Sequence, residues 1–343
     1  MIDTIKFLIP LTDIELIKQL QGSLMRLSKE NLKTGKVEFE FYTASAELGS
    51  YHRKVAIKST EVPMGFFVEF SVPKYERGNN VEMIYPHNLP MIIEKLYKEL
   101  CAFMNYNLPH YSKWPIYKLD VSYNWIFKNK EEAEYALGFI SRIDYPRKKK
   151  YLYDTSVMYT GTAYTIKFYL KGEEFRKNDF KEVSTDHAPQ LQAWANKILR
   201  FEVALKKTQL KQQFLSEQVF IDVVANDWEI EEILKSYLDK VFFYLNTETT
   251  TNERVIEKLH QRFTKSKATR LYQFYRGYYF DENIKSLFLQ GGLDRSTIYR
   301  NKKDLKRAGI GIASTEIPEG ISIFEQLIIP SKNSRYILVD YLP

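Results

Sequence analysis

A tyrosine flanked by two lysines is the most chemically suggestive feature of the sequence. Tyr169 lies between Lys167 and Lys171 in residues 165–171, where polar and apolar side chains alternate as they do in a β-strand. The alternation predicts that Tyr169 and both lysines share one face of the strand. A phenol beside two ammonium groups could attack a phosphodiester, because the lysines would stabilise the phenolate and the charge on phosphorus. Alternatively, Tyr169 is one of 25 tyrosines and serves packing, as aromatic residues in strands commonly do.

Two other segments have a polar face of the same design, and each carries an acidic residue. Asp120 lies on the polar face of residues 117–125, and Glu202 lies on that of residues 199–206. If the three strands share a sheet, both carboxylates can lie beside Tyr169. Neighbouring carboxylates repel each other unless a cation lies between them, and such oxygen ligands suit Mg²⁺ or Mn²⁺, which would polarise a phosphate. The alternative is that these charges merely solvate the exposed face of a half-buried sheet.

Composition indicates a soluble protein with a polyanionic partner. The chain has 343 residues, 44% of them apolar, and a net charge of +7, which favours nucleic acid as the partner. The single cysteine, Cys101, permits no disulfide within the chain and suits a reducing cytoplasm. The sequence shows neither a signal-peptide pattern nor an apolar run long enough to span a bilayer, so we expect a cytoplasmic protein without membrane contact.

The order of predicted elements repeats along the chain. A strand, a helix and then paired strands occur in residues 1–110 and again in residues 115–206, which suggests a duplication. Such units predict an α+β fold with helices against one face of a mainly antiparallel sheet. We therefore expect a catalytic domain over residues 1–213 and a helical domain over residues 214–343.

Several short segments, taken in order, resemble the gene II/X replication initiators of filamentous phages and related plasmids. The sequence is also more distantly similar to plasmid rolling-circle initiators of the Rep_trans type. The segments that carry the resemblance are residues 1–3, 71–74, 78–81, 118–120, 169–171 and 199–202. Lys118 is a departure, because relatives usually carry arginine at that position.

The resemblance implies a site-specific endonuclease that cuts and rejoins single-stranded origin DNA. Tyr169 would be the nucleophile and would hold the 5′ phosphate as a phosphotyrosine ester. Asp120 and Glu202 would be ligands of Mg²⁺ or Mn²⁺, and Lys171 would stabilise the phosphate. Glu69, on the polar face of its own predicted strand, is the candidate third ligand. Origin DNA, single-stranded or in a hairpin, would be the partner, together with a host helicase or polymerase.

Basic residues outside the tyrosine strand predict contacts with the DNA backbone. Arg147, Lys148, Lys149 and Lys150 precede the tyrosine strand, on which Lys167 is a further phosphate contact. A solvated basic loop is the alternative reading of residues 147–150.

The C-terminal part predicts a helix-turn-helix over residues 281–309. Gly291 and Gly292 form its turn, and Asp294 could cap the second helix. Its predicted DNA contacts are Arg295, Ser296, Thr297, Arg300 and Lys302. An ordinary pair of packed helices is the competing interpretation. A protein that binds duplex DNA only through this region, as a non-enzymatic initiator or repressor, is the alternative function.

Overall fold

A computed structural model describes most of the chain. The described residues are 1–22, 24–31, 36–47, 54–60, 63–141, 143, 145, 147–181, 183, 186–242, 252–280, 287–308, 310, 327 and 329.

The described part of the chain is organised around one antiparallel sheet of ten strands. The strands are β1 Ile2–Pro10, β2 Met25–Asn31, β3 Lys36–Glu47, β4 Lys54–Thr60, β5 Gly65–Ser71, β6 Ile116–Ile126, β7 Lys149–Tyr153, β8 Ser156–Thr160, β9 Tyr164–Leu170 and β10 Ile198–Lys206. Their order across the sheet is β2-β3-β4-β5-β1-β6-β10-β9-β8-β7. The fold is therefore α+β with an antiparallel sheet, as the sequence predicts.

The two halves of the sheet have the same connectivity. In the first half, β1 is followed by a helix and then by four strands, the last of which, β5, pairs with β1. In the second half, β6 is followed by a helix and by four strands in the same way, and the last of them, β10, pairs with β6. β1 and β6 pair with each other in antiparallel fashion at the centre. The topology is thus what two copies related by a two-fold axis would give, although duplication itself stays a prediction.

The described residues also form helices, some of which bury the apolar face of the sheet. They are α1 Ile14–Gln21, α2 Val72–Arg77, α3 Leu89–Met104, α4 Lys130–Ser141, α5 Lys171–Asn178, α6 Ala188–Ala195, α7 Lys207–Gln213, α8 Ile221–Val224, α9 Asp227–Phe242, α10 Asn252–Arg262, α11 Lys265–Phe280 and α12 Arg295–Arg307. Fully buried side chains from β1, β6 and β10, such as Phe7, Leu119 and Phe201, share one core with Leu96 of α3 and Ile140 of α4. Burial of each such side chain contributes about 1.5–3 kcal/mol.

Part of the opposite, polar face is also covered. Val81, Phe175 of α5, Ala195 of α6 and Ile198 of β10 form a small separate apolar cluster. The α5–α6 contact is close, since a Cβ atom on Gly172 would lie 2.8 Å from Asn196 Cα. This cluster therefore covers one end of the polar face.

The C-terminal helices form a separate core. Leu271 and Tyr275 of α11 pack with Ile298 and Leu305 of α12 in this second cluster. α9, in contrast, packs into the core of the sheet through residues such as Leu234. The packing therefore extends the sheet unit past the boundary expected after residue 213. No helix among the described residues is long and apolar enough to cross a bilayer.

Candidate active site on the polar face of the sheet

The three strands that carry Asp120, Glu202 and Tyr169 are neighbours in the sheet. β10 lies between β6 and β9, and in its register Glu202 is opposite both Ser122 and Lys167. Tyr169 is opposite Arg200, one step along the same face. The Tyr169 hydroxyl reaches back and donates a hydrogen bond to Glu202 Oε2 at 3.1 Å.

The Glu202 carboxylate accepts hydrogen bonds from two side chains. Its Oε1 accepts a hydrogen bond from Lys167 Nζ at 2.8 Å, while its Oε2 accepts the bond from Tyr169. Burial and the nearby Glu202 carboxylate raise the pKa of Tyr169 above its ordinary value, and Arg200 opposes this shift. Burial works against the charge on Lys167, but the Glu202 carboxylate raises the pKa of Lys167 overall. In this state the phenol is protonated and held in position.

Asp120 has an incompletely satisfied carboxylate. Lys118 Nζ lies 3.0 Å from Asp120 Oδ2, whereas the buried Oδ1 accepts no hydrogen bond from the described part of the chain. Burial, followed by the charge of Glu202, raises the pKa of Asp120 to about 7. A buried, unpartnered carboxylate oxygen is costly, so a ligand at this atom would relieve an unfavourable arrangement.

The carboxylate pair fits a hydrated divalent cation. Among the described residues, no group of three or more His, Cys, Asp or Glu side chains is arranged to enclose a metal. Mg²⁺ usually keeps several waters and binds through one or two carboxylates together with substrate phosphates. Asp120 and Glu202 supply two carboxylates, and Asp120 Oδ1 accepts no hydrogen bond from the residues that the structure describes. The donor chemistry of these two carboxylates therefore suits Mg²⁺ or Mn²⁺.

Arg200 is a buried cation that lies opposite Tyr169 in the sheet. Its Nε donates to Asn124 Oδ1 at 2.7 Å, and its Nη2 donates to the carbonyl oxygens of Asn80 and Val81 at 2.5 and 3.1 Å. Burial opposes its charge, but the electrostatic interaction with Tyr169 contributes to raising the pKa of Arg200. These bonds fix the guanidinium against Tyr169.

Asp3 reaches this site through a β-bulge. Ile2 pairs with Val121 and Thr4 pairs with Asp120, so Asp3 is an extra residue in β1. A second bulge occurs two pairs further on, where Lys6 pairs with Lys118 but Phe7 pairs with Ile116; the extra residue there is Tyr117 of β6. Asp3 Oδ1 lies 3.5 Å from Arg200 Nη1, and its charge also acts on Asp120.

Lys171 lies elsewhere than the strand pattern predicts. β9 ends at Leu170, and Lys171 begins α5. Its side chain is fully buried and is bonded to Asn80 and Glu174. Burial, followed by the charge of Arg200, lowers the pKa of Lys171 to about 8. Lys171 therefore lies outside the strand ladder, and Asn80 links it to Arg200, which is opposite Tyr169.

Glu69 is separated from the carboxylate pair by a lysine. It lies on β5, two strands away from β6. Lys118 Nζ lies 2.9 Å from Glu69 and 3.0 Å from Asp120, and Lys6 Nζ lies 3.6 Å from Glu69. The structure thus places Glu69 in an ion-pair network rather than beside Glu202.

The basic residues at 147–150 lie at one end of an edge strand. Lys149 and Lys150 begin β7, with Lys149 opposite Thr160. Lys148 lies over the ring of Tyr164, with its Nζ 3.4 Å from the ring centroid. Tyr169 pairs with Ser156, at the other end of this hairpin. The structure thus separates this cluster from the tyrosine.

The α12 side chains that are predicted to contact DNA differ in their exposure and in the hydrogen bonds that they already make. Asp294 caps the helix, accepting from the Thr297 amide at 2.9 Å and from the hydroxyls of Ser296 and Thr297 at 2.6 Å. These bonds lower the pKa of Asp294. Lys302 donates to the Tyr278 hydroxyl at 3.0 Å, whereas Arg300 is exposed. The backbone of Arg295 begins the helix. Residues 281–286 and 309, parts of the predicted helix-turn-helix, lie outside the described residues.

Sequence reasoning assigned no role to Asp3 or Arg200. Arg200 lies on the polar face of its strand together with Glu202, so the alternation contained a signal for it. Asp3 belongs to one of the segments that carry the family resemblance, but the bulge that directs it to the site depends on pairing with β6. Asn80, which binds Lys171 and Arg200, also belongs to a resembling segment.

Comparison with known proteins identifies the family of the chain. The family model of the N-terminal part of the gene II replication-associated protein matches residues 1–230. The chain therefore belongs to this family of replication-associated proteins, which confirms the resemblance to gene II-type rolling-circle replication initiators. A solved rolling circle replication initiator protein from Geobacillus stearothermophilus is similar at 14% identity and a TM-score of 0.34, covering 70% of this chain and 84% of that chain. A comparison with curated proteins gives no match.

Proposed function

We propose that this replication initiator nicks and rejoins one strand of origin DNA, with Tyr169 as the nucleophile. The observation that carries the proposal is the hydrogen bond from the Tyr169 hydroxyl to Glu202 Oε2, on the sheet face that also carries Asp120. A tyrosine held by a carboxylate, next to a second carboxylate with an unpartnered oxygen, suits transfer of a phosphoryl group.

The proposed step conserves the energy of the phosphodiester. Tyr169 Oη attacks phosphorus, and the bond between phosphorus and the 3′ oxygen breaks. The 3′ oxygen leaves with the bonding electron pair and is protonated to a hydroxyl, while the 5′ phosphate stays on the tyrosine as an ester. The reverse attack by a 3′ hydroxyl restores the DNA strand and releases Tyr169.

Three residues have distinct parts in this step. Glu202 Oε2 is within hydrogen-bond distance, at 3.1 Å, to take the proton of Tyr169. Lys167, paired with Glu202 Oε1, compensates the carboxylate charge and offers a donor to the phosphate. Arg200, fixed by Asn124 and by two carbonyl groups, stabilises the phenolate electrostatically when it forms.

Asp120 and Glu202 would hold the divalent cation. When bound, Mg²⁺ or Mn²⁺ would polarise the phosphate and stabilise the charge that develops during transfer. Lys118, bonded to both Asp120 and Glu69, would keep Asp120 oriented. Although burial opposes the charge, Asp120 and Glu69 raise the pKa of Lys118, so it remains an ammonium at neutral pH.

Covalent trapping tests this proposal directly. Wild-type protein and Mg²⁺ or Mn²⁺, mixed with a single-stranded oligonucleotide of the replicon's origin labelled at its 3′ end, should give a labelled protein band in a denaturing gel. Tyr169→Phe should give no band and should retain DNA binding. Tyr153→Phe is the matched control, because Tyr153 is exposed at the edge of the sheet. A labelled Tyr169→Phe band, or a wild-type chain that never cleaves, would remove the proposal and favour a non-enzymatic initiator.

Recognition of duplex DNA by the C-terminal helices is a second proposed function. α12 has its own packed support, with Ile298 and Leu305 buried and Arg300, Lys303 and Arg307 exposed. A supported helix with exposed cations suits entry into a groove. Arg300→Ala should weaken binding to origin duplex about tenfold, whereas Lys98→Ala, on the exposed side of α3, should not. Equal binding by the two variants would exclude Arg300 as a contact.

A further inference from the structure

Three lysines lie directly opposite one another across the centre of the sheet. Lys206 of β10 is opposite Lys118 of β6, and Lys118 is opposite Lys6 of β1. We call Lys6, Lys118 and Lys206 the lysine row. It lies on the same face as Asp120 and Glu202, two residues along β6 from Asp120, or about 7 Å at the usual rise of a strand.

Such a row is unfavourable for the folded chain by itself. Like charges at directly opposed positions in a sheet destabilise the pairing. Glu69 is the carboxylate shared by Lys6 and Lys118, at 3.6 and 2.9 Å, and Lys118 also pairs with Asp120. Lys206 is exposed. A polyanion lying across the row would convert this repulsion into attraction.

Aromatic rings lie directly beside the lysine row. The rings of Phe67 and Tyr117 pack edge to face, with centroids 4.9 Å apart. Lys6 Nζ lies 4.6 Å from the Phe67 ring centroid, and Lys207 Nζ lies 4.1 Å from that of Tyr117. Tyr117 is the bulged residue of β6, and the bulge brings its ring to Phe67. Both rings are half-buried, so each retains an accessible surface.

A recess continues from this aromatic pair. It has a volume of about 260 Å³, and its lining includes Tyr117 and Lys207, the apolar side chains of Leu8 and Pro10, and Lys113. Apolar walls beside ammonium groups suit a nucleobase with its phosphate outside. The recess therefore extends the same type of surface beyond the lysine row.

We propose that the lysine row and the Phe67–Tyr117 pair form a binding subsite for the single-stranded DNA that flanks the scissile phosphate. The lysines would contact successive phosphates, and the aromatic pair would stack an unpaired base. Duplex DNA does not fit this combination, because its bases are not available for stacking. The inference rests on the proposed function, since it names how the same site holds its substrate strand.

Binding measured without cleavage tests the subsite. The probe is a fluorescent origin oligonucleotide, single-stranded or annealed, mixed with Tyr169→Phe protein in EDTA and followed by fluorescence anisotropy. Adding Tyr117→Ala should weaken binding of the single strand about tenfold, within the range seen for loss of one stacked base, whereas Tyr117→Phe should keep it. Duplex binding should change much less in both variants.

The salt dependence of binding tests the lysine row. Replacing both Lys6 and Lys206 with glutamine should reduce the slope of log K against log salt by about 1.4, at roughly 0.7 per phosphate contact with a single strand. Lys18→Gln combined with Lys98→Gln removes the same charge from exposed helix positions and should leave the slope nearly unchanged. Equal slopes for the two double variants would overturn the proposal.

A crosslinking measurement keeps the inference testable if a variant fails to fold. An oligonucleotide with 5-bromodeoxyuridine beside the nick position, irradiated with wild-type protein, should label the peptide that contains Tyr117 or Phe67. Labelling only elsewhere would overturn the subsite. If Tyr117 affects binding but no cleavage occurs with any metal, the subsite stands and the nicking proposal fails.

Discussion

The Tyr169 hydroxyl and Glu202 Oε2 are 3.1 Å apart, and they come from adjacent strands whose register places Tyr169 opposite Arg200 instead. The Tyr169 side chain therefore extends from the Tyr169–Arg200 pair to the neighbouring Lys167–Glu202 pair. This geometry gives Glu202 two tasks, because it positions the proposed nucleophile and also contributes charge to the proposed metal site.

Glu202→Gln should separate these tasks. The amide oxygen can still accept the hydrogen bond from Tyr169, but the side chain loses its charge. We expect the nicking rate to fall by at least ~100-fold, because a bound metal supplies several kcal/mol of charge stabilisation. The measurement is single-turnover cleavage of the labelled origin strand. Glu131→Gln, at an exposed carboxylate at the start of α4, is the control; a Glu202→Gln protein as fast as this control would contradict the assignment.

Asp120 should make stability depend on pH when no metal is bound. Its pKa in the folded chain is about 7 instead of 3.8, so between these values the folded state binds more protons than the unfolded state. The free energy of unfolding should therefore fall as the pH rises from 4 to 7. In EDTA at pH 8, Asp120→Asn should be more stable than wild type by an amount of order 1 kcal/mol, and the difference should vanish near pH 4.

At pH 8, Mg²⁺ should reverse the order of stability of wild type and Asp120→Asn. Bound cation stabilises only the chain that can bind it, so the melting temperature of wild type should rise with Mg²⁺ while that of Asp120→Asn stays constant. Thermal melts at several Mg²⁺ concentrations give the comparison. Equal metal-induced shifts in both proteins would place the cation somewhere other than Asp120.

Arg200→Lys should keep the positive charge beside Tyr169 but lose the hydrogen bonds that position the cation. Lysine keeps the cation but cannot make the bonds that the guanidinium makes to Asn124, Asn80 and Val81. We expect a loss of about 1–3 kcal/mol in stability and a pH–rate profile whose Tyr169-dependent limb moves to higher pH. Arg176→Lys, at an exposed ion pair, controls for the substitution. An unshifted profile would leave Arg200 with a structural role only.

Lys171→Met should change the pH dependence of stability in alkaline solution. The pKa of Lys171 is about 8 in the folded chain and 10.5 as the ordinary value, so the folded state binds fewer protons between these values. The free energy of unfolding of the wild type should therefore contain a contribution from Lys171 that increases with pH across this window. Lys171→Met should lack this contribution. Urea titrations at pH 7.5 and 10 measure the difference. Nicking by folded Lys171→Met at the wild-type rate would show that Lys171 is structural.

Part of the fold and site could be predicted from the sequence because local patterns carry it. Strict alternation placed Asp120, Glu202 and Tyr169 on polar strand faces, and the chemistry of carboxylates suggested that they would be close. Lys171 could not be placed in this way, because the pattern does not show where β9 ends and α5 begins. Asp3 and Tyr117 reach the polar face through bulges, which depend on how β1 pairs with β6.

Those two bulges lie on opposite strands and cancel each other. Asp3 is an added residue in β1 and Tyr117 is an added residue in β6, so Ile2–Val121 and Phe7–Ile116 are pairs of one common register. Deleting Asp3 alone would make Ile2–Val121 and Thr4–Asp120 successive regular pairs, and deleting Tyr117 alone would do the same for Lys6–Lys118 and Phe7–Ile116. Each single deletion should therefore keep the pairing on both sides of its bulge and remove only the added side chain. The centre of the sheet thus carries Asp3 and Tyr117 as independent additions to a regular ladder, and either one can be removed without the other.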